Sequence, residues 1–158
     1  MSPAEENFVH LDECVRSLNE AWHILQEIRV ATNRTAIHSA AFRYALIAYA
    51  RPYTRSDGEH QKGRKAYKLA PPMLSKEELL LHDQILDLRH KVLAHSELIV
   101  KQASIYVGRY GGLAKANIAT NGHPQFPETD AVISLIEHTL DSLYVERARR
   151  EEVLAPTA

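Results

Sequence analysis

Apolar residues recur every three or four positions along the first 30 residues of the chain. That spacing places them on one face of a helix, so the pattern predicts an amphipathic helix from about Glu5 to Val30. The apolar positions are Phe8, Leu11, Val15, Leu18, Trp22, Leu25 and Ile28. This face is expected to lie against the core.

A second and a third helix are predicted further along. Thr32 or Asn33 can cap the second, which is expected to run to about Ala50, where the next proline stops it. Ser75 and the acidic residues that follow it are typical of a helix start, and they begin the third.

The last predicted helix follows Pro127 and has its own apolar face. Its apolar positions are Val132, Ile133, Leu135, Ile136, Leu140, Leu143 and Tyr144. The charged tail beyond Arg147 is expected to fray, including everything after about residue 150.

Between the third and last helices the pattern changes to β-branched and aromatic residues. Two runs, 98–107 and 113–120, are predicted to pair as a β-hairpin within an insertion of about 98–126. The glycine-rich segment 108–112 is assigned to the turn. The chain is therefore expected to be mainly all-α: a single domain, 1–158, that forms a four-helix bundle with a small β-hairpin inserted before the last helix.

The third helix carries two polar residues inside its apolar arc. On a helical wheel, His82 and Arg89 project between two apolar clusters. The clusters are Leu81, Ile85, Leu88 and Val92 on one side and Leu79, Leu86 and Leu93 on the other. A buried arginine needs a partner charge, so one interpretation of Arg89 is an ion pair across the bundle to Asp130 or Glu137. A histidine in such a stripe is more often a hydrogen-bonded core residue than a catalyst.

His95 follows on the same predicted helix but not on the same face as Arg89. A regular α-helix separates the two by about 120° of rotation and about 9 Å along the axis. Their side chains meet if the helix unwinds after Ala94, if the long Arg89 side chain reaches across, or if a second copy of the helix supplies the partner group. The spacing therefore indicates half of a site that a dimer could complete.

An arginine and a histidine together suit the cleavage of RNA. A histidine exchanges a proton near neutral pH, and an arginine holds phosphate oxygens in a bidentate fork. The 2′-hydroxyl of RNA is itself the nucleophile, so the reaction needs no serine, cysteine or metal. His90 and His95 are five residues apart and face different directions, which argues against a shared ion. No metal site and no cofactor is predicted.

The segment from Leu81 to Glu97 resembles the signature of the HEPN superfamily, the domain named from higher eukaryotes and prokaryotes nucleotide-binding proteins. Ribonuclease members carry an arginine, then a polar residue, then a histidine four to six residues after the arginine. Arg89, His90 and His95 match that order. The surrounding residues are similar to the branch associated with abortive-infection systems.

The resemblance implies an all-α bundle, usually a homodimer, in which two copies of the motif face each other across one cleft. Catalytic members are metal-independent endoribonucleases that leave a 2′,3′-cyclic phosphate. By the resemblance, His95 is the general base, Arg89 stabilises the transition state and His90 orients the site or the RNA. Three neighbours are expected to support them: His82, Lys91 and Ser96. Other members are binding modules, or partners of a nucleotidyltransferase.

A basic loop is predicted before the third helix. Between residues 51 and 72, six lysines and arginines outnumber two acidic residues. The simpler interpretation is a solvated loop, and the alternative is a flap that contacts phosphates. The residues that would make those contacts are Arg51, Arg55, Arg64 and Lys65.

Composition limits the partners and the cellular compartment that we expect for the protein. The net charge of −1 means that a polyanion must be met by a local patch rather than by the field of the whole molecule. Cys14 is the single cysteine, which excludes an intramolecular disulfide and fits a reducing compartment. No apolar run approaches the roughly 18 residues that a membrane span needs, and the first residues lack an apolar signal core. We therefore expect a cytoplasmic protein that is not attached to a membrane.

The leading hypothesis is a metal-independent endoribonuclease of the toxin or phage-defence type. It would act on RNA as a homodimer, with an antitoxin or a nucleotidyltransferase as a further expected partner. The alternative is a non-catalytic helical dimerisation or interaction module, in which Arg89 is a structural ion pair, or a nucleotide-binding module.

Overall fold

Helices make up most of the chain. The computed structural model of the protein describes residues 1–32, 35–93, 103–120 and 125–155. Within these ranges there are four helices: α1 (Pro3–Val30), α2 (Ala36–Ala50), α3 (Lys76–Leu88) and α4 (Thr129–Leu154). The predicted class, a mainly all-α bundle with a hairpin before the last helix, is confirmed. None of the described helices is both long and apolar enough to cross a membrane.

α1 is the helix around which the bundle is built. It begins with a capping box, in which the Glu5 backbone N–H donates to Ser2 Oγ (3.3 Å) and the Glu5 carboxylate accepts from the Ser2 backbone. Most of its predicted apolar face is buried: Leu11, Val15, Leu18, Leu25 and Ile28. This face packs against both α2 and α4, which is why α1 has the longest buried stripe of the four.

The residue that caps the start of α2 lies three positions after Thr32, one of the two predicted caps. Thr35 precedes its first turn, and the Thr35 backbone N–H donates to His38 Nδ1 (3.1 Å). Thr32 is therefore not the cap, and Asn33 lies outside the described residues. At the other end of α2, small residues and one tyrosine are buried, which lets neighbouring helices approach closely: Ala45, Ala48, Tyr49 and Ala50.

The segment between α2 and α3 is folded back onto the start of α1. Ser56 and Tyr67 exchange backbone hydrogen bonds, each 2.9 Å long. Glu6 of α1 is 8% exposed, and its carboxylate accepts hydrogen bonds from the backbone N–H groups of Glu59 and His60, the latter at 2.9 Å. A buried carboxylate must be satisfied in this way, so Glu6 holds the loop in place.

The predicted hairpin is present, with different boundaries. Its strands are β1 (Ala103–Tyr110) and β2 (Leu113–Thr120), which pair antiparallel. The turn is only two residues long, and both have positive φ, 58° at Gly111 and 84° at Gly112, as a type I′ turn requires. The assignment of the whole segment 108–112 to the turn is therefore wrong, since Gly108 lies within β1. The predicted strand residues 98–102 lie outside the described residues.

α4 continues further than the sequence predicted. The helix runs to Leu154, so the expected fraying beyond Arg147 is wrong. Arg147 pairs with Asp12 of α1 at 3.1 Å, and the Arg150 guanidinium donates to the backbone and side-chain oxygens of Asn7 at 3.1 and 2.9 Å. These contacts with α1 hold the charged end of α4 in a helix.

Candidate functional site

α3 is fixed at its start by a cap that also reaches α4. Ser75 and Glu78 form a capping box, with the Glu78 carboxylate 2.8 Å from the Ser75 backbone N–H. The other Glu78 oxygen lies 2.7 Å from His138 Nδ1 on α4. The Ser75 backbone hydrogen bond, and secondarily His138, lower the pKa of Glu78. The carboxylate therefore joins the two helices while it caps one of them.

One turn further along, His82 is buried, as its place in the apolar arc predicted. It is 4% exposed, and its Nδ1 lies 2.8 Å from the Tyr49 hydroxyl oxygen on α2. Its ring packs edge-on against Tyr53, with ring centroids 4.5 Å apart. Burial lowers the pKa of His82 and raises that of Tyr49, so both are neutral at neutral pH. His82 is thus a hydrogen-bonded core residue that ties α3 to the end of α2.

The two predicted apolar clusters of α3 differ in burial. Ile85 and Leu88, from the first cluster, are buried. Leu86, from the second, is half-buried, and Leu79 is 45% exposed. Leu79 and Leu86 therefore lie at the rim of the core and not within it.

The helix changes type where the predicted motif begins. The α-helix ends at Leu88, and Arg89–Leu93 form a π-helical turn. The expectation of a regular α-helix is therefore wrong for Arg89–Leu93, and His95 lies outside the described residues. π-Helical turns are rare, and they are frequent at functional sites. The widened turn is the strongest structural mark on the motif.

Arg89 stands half-buried at the first position of the π-helical turn. Within the part of the chain that the structure describes, it forms no ion pair, so the predicted pairing with Asp130 or Glu137 is wrong. Glu137 instead accepts a hydrogen bond from Trp22 Nε1 at 2.8 Å. No described carboxylate competes with a phosphate for the guanidinium of Arg89.

The two residues that follow Arg89 differ in their surroundings. His90 is exposed, and Lys91 Nζ lies 2.7 Å from Asp87 Oδ1, one turn back along the helix. Two predicted site residues lie outside the described residues: His95 and Ser96. Their positions relative to Arg89 stay a prediction.

The four basic residues predicted to contact RNA differ in whether they form an ion pair within the chain. Arg51 lies 2.9 Å from the Glu20 carboxylate and donates to the Tyr44 hydroxyl at 3.0 Å, so it holds the end of α2 against α1. The other three are exposed and have no ion-pair partner among the residues described: Arg55, Arg64 and Lys65. These three remain available to a phosphate.

A cavity that the sequence did not indicate opens between α1, α4 and the loop before α3. Its volume is about 460 Å³, and its lining includes His10, Lys68 and Arg150. The His10 ring stacks on Tyr67, with centroids 4.8 Å apart. Burial raises the pKa of the neighbouring Cys14 thiol to about 11, which makes it a poor nucleophile at neutral pH. Because the lining comes from three distant segments, no local motif marks this cavity.

Among the residues described, there is no group of three or more histidine, cysteine or acidic side chains that could hold a metal ion. Comparison of the chain with known protein families, with curated proteins and with solved structures finds no match.

Proposed function

We propose that the protein is a cytoplasmic, metal-independent endoribonuclease of the toxin or phage-defence type, active as a homodimer. The observation that carries the proposal is the π-helical turn at Arg89–Leu93, which contains Arg89 and His90, two of the three residues that match the ribonuclease order of the HEPN superfamily. An arginine without an intrachain partner among the described residues, half-buried at that turn, is suited to bind a phosphate.

In the proposed reaction His95 removes the proton of a ribose 2′-hydroxyl. The 2′-oxygen then attacks the adjacent phosphorus, and the bond from phosphorus to the 5′-oxygen of the next nucleotide breaks. The products are a 2′,3′-cyclic phosphate and a 5′-hydroxyl, which takes up a proton. Arg89 stabilises the extra negative charge on the phosphoryl oxygens as the bond forms.

The neighbouring residues have supporting parts in this scheme. His90 and Ser96 orient the RNA or the catalytic histidine, and Lys91 adds positive charge at the π-helical turn. His82 holds α3 through its hydrogen bond to Tyr49 and does not touch the substrate. A second copy of the chain brings its own motif to the same cleft, and an antitoxin or a nucleotidyltransferase is the partner expected to control it.

The test is cleavage of a single-stranded RNA by the purified protein in excess chelator, with the product ends analysed for 2′,3′-cyclic phosphate. We expect cleavage by the parent protein and a loss of about 100-fold or more in His95→Ala and Arg89→Ala, since each change removes one catalytic group. His23→Ala is the matched control, because His23 is exposed on α1 and far along the chain from the motif.

Two further readouts make the test decisive. Thermal unfolding of each variant shows whether lost activity reflects lost folding, and light scattering gives the number of subunits. The proposal is wrong if the parent does not cleave RNA, or if His95→Ala cleaves as fast as the parent. A mixture of inactive Arg89→Ala and inactive His95→Ala chains that regains activity would support a cleft shared between subunits.

A further inference from the structure

The cavity between α1, the loop before α3 and α4 has the size of a small-molecule site. Its volume of about 460 Å³ lies within the range of about 300–1,000 Å³ that is usual for ligand pockets. Part of its wall is apolar, and that part is formed by Leu11, Leu69, Pro72 and Leu143. An apolar group removed from water against these side chains would stabilise a bound ligand.

Two cationic side chains of the same lining have hydrogen-bond donors to offer. Lys68 is exposed and forms no ion pair with any residue that the structure describes. The Arg150 guanidinium donates from Nε to Glu146 at 2.8 Å and from Nη1 to Asn7, which leaves Nη2 without a hydrogen bond to the described residues. The loop supplies Lys68 and α4 supplies Arg150, so the fold brings the two cations to one cavity. Cationic N–H donors of this kind bind carboxylates.

The charge balance of the lining favours an anion. Among the described residues that line the cavity, Glu146 is the acidic one, and it is already paired with Arg150 and, at 3.3 Å, with Arg149. Burial, and secondarily Arg150, lower the pKa of His10, so its ring is neutral at neutral pH. Lys68 and Arg150 therefore leave one positive charge in excess, which a monoanion would balance.

We propose that the cavity binds a small organic carboxylate with an apolar body. The carboxylate pairs with Lys68 and Arg150, and the apolar body packs against Leu69 and Leu143. A phosphodiester backbone lacks the apolar part that this wall would cover, and an uncharged apolar molecule would not pair with the excess charge. The inference goes beyond the proposed ribonuclease and does not depend on it, because the cavity shares no residue with the π-helical turn.

The experiment compares three probes of nearly the same shape on the full-length protein. Benzoate is an anion, benzamide is neutral and benzamidine is a cation, so their Kd values report the charge that the cavity selects. Methyl NMR signals follow the titrations, with Leu69 and Leu143 as reporters of the lining and Leu46 of the core as the control. We expect benzoate to bind with a Kd of about 1 mM or below and to shift the signals of the lining alone.

The other probes are expected to bind more weakly than benzoate. Benzamide and benzamidine should lose about 5-fold or more, because neither pairs a negative charge with the two cations. Acetate has the charge without the apolar body, and it should also lose about 5-fold or more. Benzoate at ten times its Kd is expected to raise the Tm of the parent by about 3–6 °C.

A matched pair of variants tests the lysine. Lys68→Met removes the charge and keeps an unbranched side chain. It is expected to weaken the binding of benzoate about 3- to 30-fold and to leave that of benzamide unchanged. Lys62→Met makes the same change at an exposed lysine of the same loop that does not line the cavity, and it is expected to change neither Kd. Thermal unfolding of each variant shows whether it is folded.

Several results would overturn the proposal. The first are benzoate that binds no more tightly than benzamide, benzamidine or acetate, shifts that fall outside the lining, and an unchanged Kd for benzoate in Lys68→Met. Binding of benzoate only after deletion of residues 156–158 would mean that the chain itself fills the cavity. Displacement of benzoate by a short single-stranded RNA would assign the cavity to nucleic acid. Cleavage of RNA by the parent bears on the proposed function alone, so either proposal can fail while the other stands.

Discussion

Removal of one hydroxyl group from the core is expected to destabilise the protein measurably. Tyr49→Phe keeps the aromatic ring and deletes one partner of the 2.8 Å hydrogen bond to His82 Nδ1. Tyr49 is 0% exposed and His82 is 4% exposed, so water does not replace the lost partner. A buried polar atom left unpaired costs about 1–3 kcal/mol. In a chain of this length that lowers the Tm by about 2–12 °C.

The assay is thermal and denaturant unfolding, followed by circular dichroism, of a double-mutant cycle. The cycle compares the parent with Tyr49→Phe, His82→Leu and the double variant. The double variant is expected to lose less free energy of unfolding than the sum of the single variants, with a coupling of about 1 kcal/mol, because it removes both polar atoms of the pair and leaves neither of them unpaired. Tyr144→Phe, which removes an exposed hydroxyl, is the control and is expected to change stability by less than about 0.5 kcal/mol.

Burial of His82 beside Tyr49 also makes the free energy of unfolding depend on pH, and the sign of that dependence follows from the pKa of His82. Burial lowers that pKa in the folded protein below its usual value of 6.5. Between the lowered value and 6.5, the unfolded chain binds more protons than the folded chain, so the free energy of unfolding decreases as the pH falls through this window. Above it, neither state carries the proton and the contribution is flat. The account of this hydrogen bond would be refuted if the losses of unfolding free energy in the two single variants simply added up in the double variant. It would also be refuted if the unfolding free energy of the parent depended on pH in the same way as that of His82→Leu.

Three further changes test other contacts. Gly58→Ala is expected to lower the free energy of unfolding by about 1–3 kcal/mol, because the added methyl group would overlap the buried Glu6 carboxylate that holds the loop. Chemical denaturation measures this loss, and an unchanged midpoint would contradict the packing. Gly112→Ala is expected to lower the population of the hairpin about 5- to 30-fold, since φ is 84° there, and amide exchange of β1 reports it; Gly112→Asn should lose less. Cys14 is expected to resist alkylation at pH 8 in the folded protein and to react after unfolding, since its pKa is raised to about 11; fast labelling of the native state would show that the thiol is not buried.

Much of the fold follows from local patterns in the chain. The apolar spacing of α1 predicts which of its residues are buried, because the face of a helix depends only on positions three and four residues apart. Gly111 and Gly112 likewise mark the hairpin, since few other residues adopt positive φ at both positions of a two-residue turn. His82 belongs with these successes, because an apolar arc around a polar residue predicts its burial.

The features that the sequence missed depend on contacts between distant segments. α4 does not fray beyond Arg147, because Asp12 and Asn7 of α1 hold its basic residues. The anchoring of the basic loop on α1 is also not visible in the sequence, because one buried carboxylate, Glu6, accepts hydrogen bonds from the loop backbone. No pattern within either segment reveals such a partner.

For the candidate site, too, local patterns in the sequence determined some features and contacts between distant segments determined the others. The sequence by itself determined that an arginine and a buried histidine share the third helix, since residue types and helical spacing are local properties. Only the tertiary structure decided that His82 is satisfied by Tyr49 and that Arg89 has no ion-pair partner among the described residues. It also decided that the helix widens into a π-helical turn at Arg89. A partner, or the lack of one, is set by side chains that the fold brings together from elsewhere in the chain.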